Sequence, residues 1–115
     1  MKANGDCYEA AGQYMMMKCQ FGGNCDNLTL VHGEVAGQGH LEGMTYGHAW
    51  VLDAAGNVID KSNGRNLSMP MQVYYALGQI DRIDNVIEYP WEEARAKILE
   101  HGTWGPWDLE TSSGY

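Results

Sequence analysis

Basic residues and long apolar runs are scarce in this 115-residue sequence, and each scarcity excludes a class of protein. Lysine and arginine number 7 against 15 acidic residues, for a formal net charge of −8, and no basic cluster could neutralise phosphates. Nucleic acid is therefore not an expected partner. No stretch approaches the roughly 18 to 20 consecutive apolar residues of a membrane-spanning helix, and the start MKANGDCYEAAG lacks the apolar core of a secretion signal. These absences predict a soluble, cytoplasmic protein without a membrane partner.

Cysteine is also scarce, because the chain has only Cys7, Cys19 and Cys25. An odd number cannot form a complete set of disulfides within one chain, so reduced thiols in a cytosol are expected. Free cysteine usually behaves as a small buried hydrophobe, and this is the interpretation for Cys19. Cys25 lies in the loop sequence FGGNCDN, which indicates no particular role.

The chain shows no internal repeat, linker or low-complexity stretch, so a single domain over residues 1–109 is predicted, with 110–115 as a frayed tail. Asp6 is a suitable N-cap for a helix over 6–19. The residues that fall on one face of this helix and should be buried are Cys7, Ala10, Ala11, Tyr14 and Met17.

The rest of the chain alternates between strand and helix signals. We expect strands over 28–36, 46–53, 57–62 and 82–89, and helices that start at Ser68, with Pro70 in the first turn, and at Pro90, ending at Gly102. Two of the strands are joined by a tight turn, so the sheet should be mostly antiparallel. The sequence therefore predicts an α+β fold, in which the N-terminal cysteine helix packs on about four strands, with two further helices.

The segment GHAWVLDAAGNVID, residues 47–60, predicts a hairpin that carries a histidine and an aspartate. A three-residue turn with Gly56 in the left-handed conformation would place Trp50 opposite Asp60. His48 and Asp60 would then lie on the same face as diagonal neighbours within side-chain reach. A slip of one residue would send them to opposite faces, so their pairing depends on the register that Gly56 sets.

Cys7 lies at the start of a helix, where the backbone N–H groups and the helix dipole favour a thiolate. A nearby imidazolium favours it further, and we expect this to outweigh the like charge of Asp6. Cys7 would attack a carbonyl, His48 would take up and return the proton, and Asp60 would orient the ring and stabilise its charged form.

The segment YGHAWVLDAAGNVID resembles the histidine segment of the transglutaminase-like and papain-like cysteine enzymes. The order of Cys7 in GDCYEAA, His48 in GHAWV and Asp60 in NVID matches that superfamily's order. The resemblance covers the hairpin and a few residues around Cys7. It implies a cysteine helix packed on an antiparallel sheet, and acyl-transfer chemistry on a peptide, protein or small amide or ester, without a metal or organic cofactor.

The chain departs from this resemblance before the cysteine. Many papain-like enzymes place a glutamine there as an oxyanion donor, whereas this chain has Asn4 and no earlier glutamine. The backbone N–H of Cys7, together with Asn4 or Gln38, could serve instead. The glycine-rich GQGHLEG loop around Gln38 could form a mobile edge of the cleft.

Plainer interpretations exist for the same residues. His48 alone would more often be a hydrogen-bonded core histidine. Asp53 competes with Asp60 as the orienting group, but its place at the turn suits a structural role. Trp50 is expected in the core or as a wall of the cleft. A catalytically inactive, phage-associated protein-binding module on the same scaffold is the alternative to an enzyme.

The histidine spacing and the two C-terminal tryptophans are two further patterns in the sequence. His32, His40 and His48 recur every eight residues, but metal ligands usually come as close pairs, so no metal site is expected. Trp104 and Trp107 follow the last helix, and they either fold back over the domain or contact another chain. The sequence leaves open the oligomeric state and the choice between hydrolysis and acyl transfer.

Overall fold

The computed structural model describes residues 6–20, 27–37, 43–83 and 86–109. Within these ranges the chain forms three α-helices, five strands and a 3-10 turn at Ser62–Gly64. The helices are α1 (Cys7–Gln20), α2 (Met71–Leu77) and α3 (Trp91–His101), and the strands are β1 (Thr29–Ala36), β2 (Thr45–Leu52), β3 (Asn57–Asp60), β4 (Leu67–Pro70) and β5 (Val86–Pro90). Among the described residues, no helix has the length and apolarity needed to cross a membrane.

The five strands form one sheet in the order β4-β3-β2-β1-β5, and each pairing is antiparallel. The predicted α+β fold is confirmed, with five strands rather than about four. The additional strand is β4, where the sequence predicted the start of a helix at Ser68. Ser68 instead pairs with Ile59, and α2 begins only after Pro70. Proline disfavours the helical conformation of the residue before it, so Met69 stays extended and the helix cannot include Ser68.

Helices cover both faces of the sheet, and β2 contributes to both of the resulting cores. Alternation along β2 sends Ala49 and Val51 to the core beneath α1 and α3, and Trp50 and Leu52 to the core beneath α2. Both faces of β2 are therefore buried, which explains its nearly continuous burial from Gly47 onwards.

The buried face of α1 is rotated from the predicted one. Met15 is fully buried, whereas Met17, predicted to face the core, is 61% exposed. Gly12 faces Trp104, and a Cβ at Gly12 would lie 2.5 Å from the Trp104 ring. The Trp104 indole therefore covers the helix at Gly12, although Trp104 is remote in sequence. The buried residues of α1 include Cys7, Tyr8, Ala11 and Met15.

Residues 103–108, called the C-terminal strap below, run back across the domain after α3 ends at Gly102, which adopts φ 68° as expected for a helix-terminating glycine. Trp107 packs against the rings of His32 and Tyr89. The Tyr89 hydroxyl donates to Asp108 at 2.7 Å and fastens the strap to β5. Trp104 and Trp107 therefore fold back over the domain. The predicted frayed tail, residues 110–115, lies outside the described residues.

Candidate active site

The β2–β3 hairpin has the register that the sequence predicted. Val51 pairs with Ile59 and Leu52 pairs with Val58, which places Trp50 opposite Asp60 when the register is continued. Gly56 has φ 85°, the left-handed conformation that this three-residue turn requires.

Asp53 serves the turn rather than the histidine. Its Oδ1 accepts hydrogen bonds from the backbone N–H groups of Ala55 at 3.0 Å and Asn57 at 2.9 Å. This is the turn-stabilising behaviour expected of aspartate, and it leaves Asp60 as the carboxylate beside His48.

The start of α1, which carries Cys7, lies beside the end of β3. The pairing of β2 with β3 ends at Val51 and Ile59, so His48 and Asp60 lie beyond the ladder. The 3-10 turn that follows β3 is fastened to the start of α1, because the Asn63 N–H donates to Asp6 Oδ1 at 2.6 Å. This contact fixes the start of α1, and with it Cys7, next to the turn that follows β3.

The structure brings together the three residues predicted for catalysis. His48 Nε2 lies 3.1 Å from Asp60 Oδ2, and both side chains are buried. The Cys7 thiol adjoins the same imidazole and raises the pKa of His48 through a hydrogen bond and its charge. Because Nε2 faces Asp60, Nδ1 is the ring nitrogen left for the thiol. Cys7 itself is 1% exposed.

Asp60 has no exposed surface and is surrounded by donors. Its Oδ1 accepts from the Ser62 N–H at 2.9 Å and from the Ser62 hydroxyl at 2.6 Å. Its Oδ2 accepts from the Tyr74 hydroxyl at 2.8 Å, and Arg65 Nη1 lies 3.5 Å away. Burial by itself would raise the pKa of Asp60, but the hydrogen bond and charge of His48 and the bonds from Ser62 hold that pKa well below its usual range. The carboxylate is therefore ionised.

His48 is held in its protonated form by its two partners. Burial lowers the pKa of the imidazole, but hydrogen bonds to Asp60 and Cys7, with their charges, outweigh it and raise the pKa to about 9. A protonated imidazole beside a thiol favours the thiolate, which is the nucleophilic form of cysteine. The arrangement can therefore support nucleophilic chemistry at sulfur.

A cavity of about 290 Å³ opens on the α2 side of this pair. Cys7 belongs to the core on the α1 side, so His48 lies between the thiol and the cavity. The cavity is lined by the polar side chains of His48, Asp60, Arg65 and Tyr74 and by apolar residues that include Val35, Leu67, Met69 and Leu77.

Trp50 is core beneath the site rather than a wall of an open cleft. It has no exposed surface, its ring centroid lies 6.0 Å from that of His48, and its Nε1 donates to the Tyr75 hydroxyl at 3.2 Å. Its role is to limit the positions that the His48 ring can adopt.

Ser62, Arg65 and Tyr74 are partners of Asp60 that were not predicted from the sequence. The Asp-x-Ser spacing of residues 60–62 is a signal for Ser62, because an aspartate commonly accepts from the N–H two residues later. No sequence signal identifies Arg65 or Tyr74, since Tyr74 reaches Asp60 only through the packing of α2 on the sheet.

The oxyanion donors proposed from the side chains, Asn4 and Gln38, lie outside the described residues. The backbone can be described at the start of α1, where the first bond of the helix runs from the Ala10 N–H to the Asp6 carbonyl at 2.8 Å. The N–H of Cys7 precedes this bond, so the helix itself does not use it. It is a donor next to the thiol.

The remaining cysteine and histidine predictions have mixed outcomes. Cys19 is disulfide-bonded, so the expectation of a reduced thiol there is wrong, but its side chain packs partly buried against the core on the α1 side. Cys7 is a free thiol. The described residues contain no group of three or more His, Cys, Asp or Glu side chains that could hold a metal. His32 packs against Tyr8 on the α1 side, while His48 borders the cavity on the α2 side. Cys25 and His40 lie outside the described residues.

No protein-family model, curated protein or solved structure matches the chain. An assignment of function therefore depends on the arrangement of Cys7, His48 and Asp60.

Proposed function

We propose that this chain is a small cysteine hydrolase or acyltransferase that acts on an amide, isopeptide or ester bond through a thioester intermediate. The observation that carries the proposal is the buried His48 ring, bonded on one side to the Cys7 thiol and on the other to the ionised Asp60. A protonated imidazole paired with a thiol at a helix start is the arrangement that cysteine-dependent acyl transfer requires.

The reaction begins when the Cys7 thiolate attacks the substrate carbonyl carbon and forms a carbon–sulfur bond. The carbonyl oxygen becomes an oxyanion, which the Cys7 N–H can stabilise. The carbonyl re-forms as the bond to the leaving group breaks, and His48 gives its proton to the departing nitrogen or oxygen. Water or an amine then attacks the thioester, His48 takes up the proton of this second nucleophile, and Cys7 leaves as the thiolate.

Asp60 supports both proton transfers. Its Oδ2 fixes the side of the ring that carries Nε2, and its negative charge stabilises the imidazolium present before leaving-group expulsion. The two bonds from Ser62 prevent the carboxylate from rotating away.

The resemblance of the GHAWV and NVID segments to papain-like and transglutaminase-like enzymes supports the same chemistry. A cysteine helix packed on an antiparallel sheet that carries the histidine and the aspartate is the fold which that resemblance implies. The corresponding substrates are a peptide, a protein or a small amide or ester, and the three residues require no cofactor for this reaction.

A second candidate is a non-catalytic binding module on the same scaffold, of phage or bacterial origin. The observation that favours it is the 1% exposure of Cys7, because a substrate carbonyl reaches the sulfur only after a local opening. The strap tryptophans do not favour it, since both pack against the core on the α1 side.

The proposed compartment also depends on the cysteines. The composition favours a reducing cytoplasm, but a disulfide at Cys19 favours an oxidising compartment, because disulfides seldom persist in the cytosol. Counting free thiols by mass spectrometry, in the protein isolated under thiol-trapping conditions, would distinguish these two compartments.

The proposed function is tested by alkylation with iodoacetamide, a small reagent, under non-reducing conditions. Cys7 should be the main labelled residue, and Cys7→Ala should abolish its label without unfolding the chain. His48→Ala should slow the labelling by about tenfold or more at pH 7, because the imidazolium partner is lost. His101→Ala, at the exposed end of α3, is the matched control and should leave the rate unchanged.

Two results would contradict the proposal that the chain is an enzyme. If Cys7 reacted as an ordinary thiol, at the same rate in the His48→Ala variant, the histidine would not activate it. If Cys7 reacted only in the unfolded chain, the sulfur would be inaccessible and the binding module would be favoured.

A further inference from the structure

We propose that Tyr74 is a positioning residue for the proposed reaction, whose hydroxyl shares the Asp60 carboxylate with His48 and so allows His48 to release its proton. The inference rests on the proposed function. It adds a fourth member to the hydrogen-bonded chain, which then runs from Tyr74 through Asp60 and His48 to Cys7.

The geometry places two hydrogen-bond donors on one oxygen, with the Arg65 guanidinium 3.5 Å from the same atom and unchanged in the variants below. The Tyr74 hydroxyl donates to Asp60 Oδ2 at 2.8 Å, and His48 Nε2 lies 3.1 Å from the same atom. The other oxygen, Oδ1, accepts from Ser62. Tyr74 therefore competes directly with His48 for Oδ2, whereas Ser62 does not.

Tyr74 acts as a donor in this contact. Burial and the charge of the neighbouring Asp60 raise the pKa of Tyr74 above its usual range, so the hydroxyl keeps its proton. The hydroxyl dipole directs its positive end at Oδ2, which reduces the attraction of that oxygen for the imidazolium.

Sharing Oδ2 helps His48 to release its proton during acyl transfer. His48 has to hold a proton while the thiol is ionised and then give it to the leaving group. An unshared buried carboxylate would hold that proton more tightly, since electrostatic interactions are stronger away from water. Dividing Oδ2 between two donors weakens this hold while the carboxylate stays in place.

The adjacent residue provides a matched control. Tyr75 lies in the same helix, and its hydroxyl also makes a buried hydrogen bond, but the partner is Trp50 Nε1 at 3.2 Å. Tyr75→Phe and Tyr74→Phe each remove one hydroxyl from α2. Both variants should lose similar stability, but only Tyr74→Phe changes the donors on Asp60.

The experiment is an NMR titration of the His48 ring in the full chain and in the two variants. Tyr74→Phe should raise the pKa of His48 by about half a unit to one unit, the equivalent of one hydrogen bond. Tyr75→Phe should leave it unchanged. The imidazole proton shared with Asp60 should also shift downfield in Tyr74→Phe, because the remaining bond shortens.

An unchanged or lowered pKa of His48 in Tyr74→Phe would overturn the proposal, and so would an equal shift in Tyr75→Phe, which would indicate a general loosening of α2. Failure of the proposed function is separately recognisable from iodoacetamide labelling of Cys7. A chain in which Cys7 is inert but Tyr74→Phe moves the His48 titration would refute the enzyme and not the sharing of Oδ2.

Discussion

Replacing Asp60 with asparagine removes the negative charge on which the His48 imidazolium depends, without changing the size of the side chain. The pKa of His48 is about 9 in the native chain, because bonds to Asp60 and Cys7 outweigh the effect of burial. Without the carboxylate, only Cys7 opposes the effect of burial, and we expect that pKa to fall by about two and a half units, to near the ordinary value of 6.5.

The size of this change corresponds to a coupling of about 3 kcal/mol, since each pKa unit is about 1.4 kcal/mol. The free energy of unfolding at pH 7 should fall by a similar amount, about 3 kcal/mol, because the amide cannot accept from all the donors around position 60. The iodoacetamide reaction of Cys7 should slow by tenfold or more at pH 7, because His48 is then largely neutral.

NMR titration of the His48 ring measures the shift, and urea unfolding followed by tryptophan fluorescence measures the stability. Asp53→Asn is the matched control, because Asp53 bonds only to the turn N–H groups in the contacts described and does not face His48. A fall of less than one unit in Asp60→Asn, or an equal fall in Asp53→Asn, would refute the electrostatic reasoning.

The pH dependence of stability gives an independent check of the pairing of His48 with Asp60. His48 with a raised folded pKa contributes stability that is present below its unfolded pKa near 6.5 and is lost as the pH rises through the folded pKa. Asp60→Asn should flatten this dependence, since the folded pKa of His48 then returns to near its unfolded value. Parallel pH profiles for the two chains would contradict the pairing.

Two further predictions concern the strap. Gly12→Ala should destabilise the fold by about 1–3 kcal/mol, despite the better helix propensity of alanine, because its Cβ meets Trp104. The exposed Gln13→Ala is the control and should be nearly neutral. A Gly12→Ala variant more stable than the native chain would show that Trp104 does not pack there. Burial lowers the pKa of His32 to about 3, so its contribution is present above pH 6.5 and is lost as the pH falls, by about 2 kcal/mol at pH 5. In urea unfolding, His32→Phe should remove this loss, and an unchanged acid dependence would contradict the burial of a neutral His32.

The sequence was most informative where the signal is local. Gly56 determines the hairpin register because a three-residue turn needs one left-handed residue, and the register then places His48 beside Asp60. Pro90 and Gly102 likewise set the ends of α3 through their own backbone preferences.

Features that depend on distant partners could not be predicted in this way. Trp104 covers α1 at Gly12, whereas helical periodicity alone predicts Met17 on the buried face. Tyr74 meets Asp60 only because α2 crosses the sheet at that point. Serine is a typical helix-capping residue and so predicts a helix start at Ser68, but Pro70 keeps the residue before it extended and Ser68 lies in a strand.

The contact of α1 with the strap has a consequence for biosynthesis. As the chain leaves the ribosome, the cysteine helix is complete many residues before Trp104 has been made, so the Gly12 side of the helix stays uncovered through most of translation. Contacts between such distant segments form slowly and leave aggregation-prone apolar surface exposed in the meantime. Chaperones that hold nascent chains would accordingly have their greatest effect on this protein before the strap emerges.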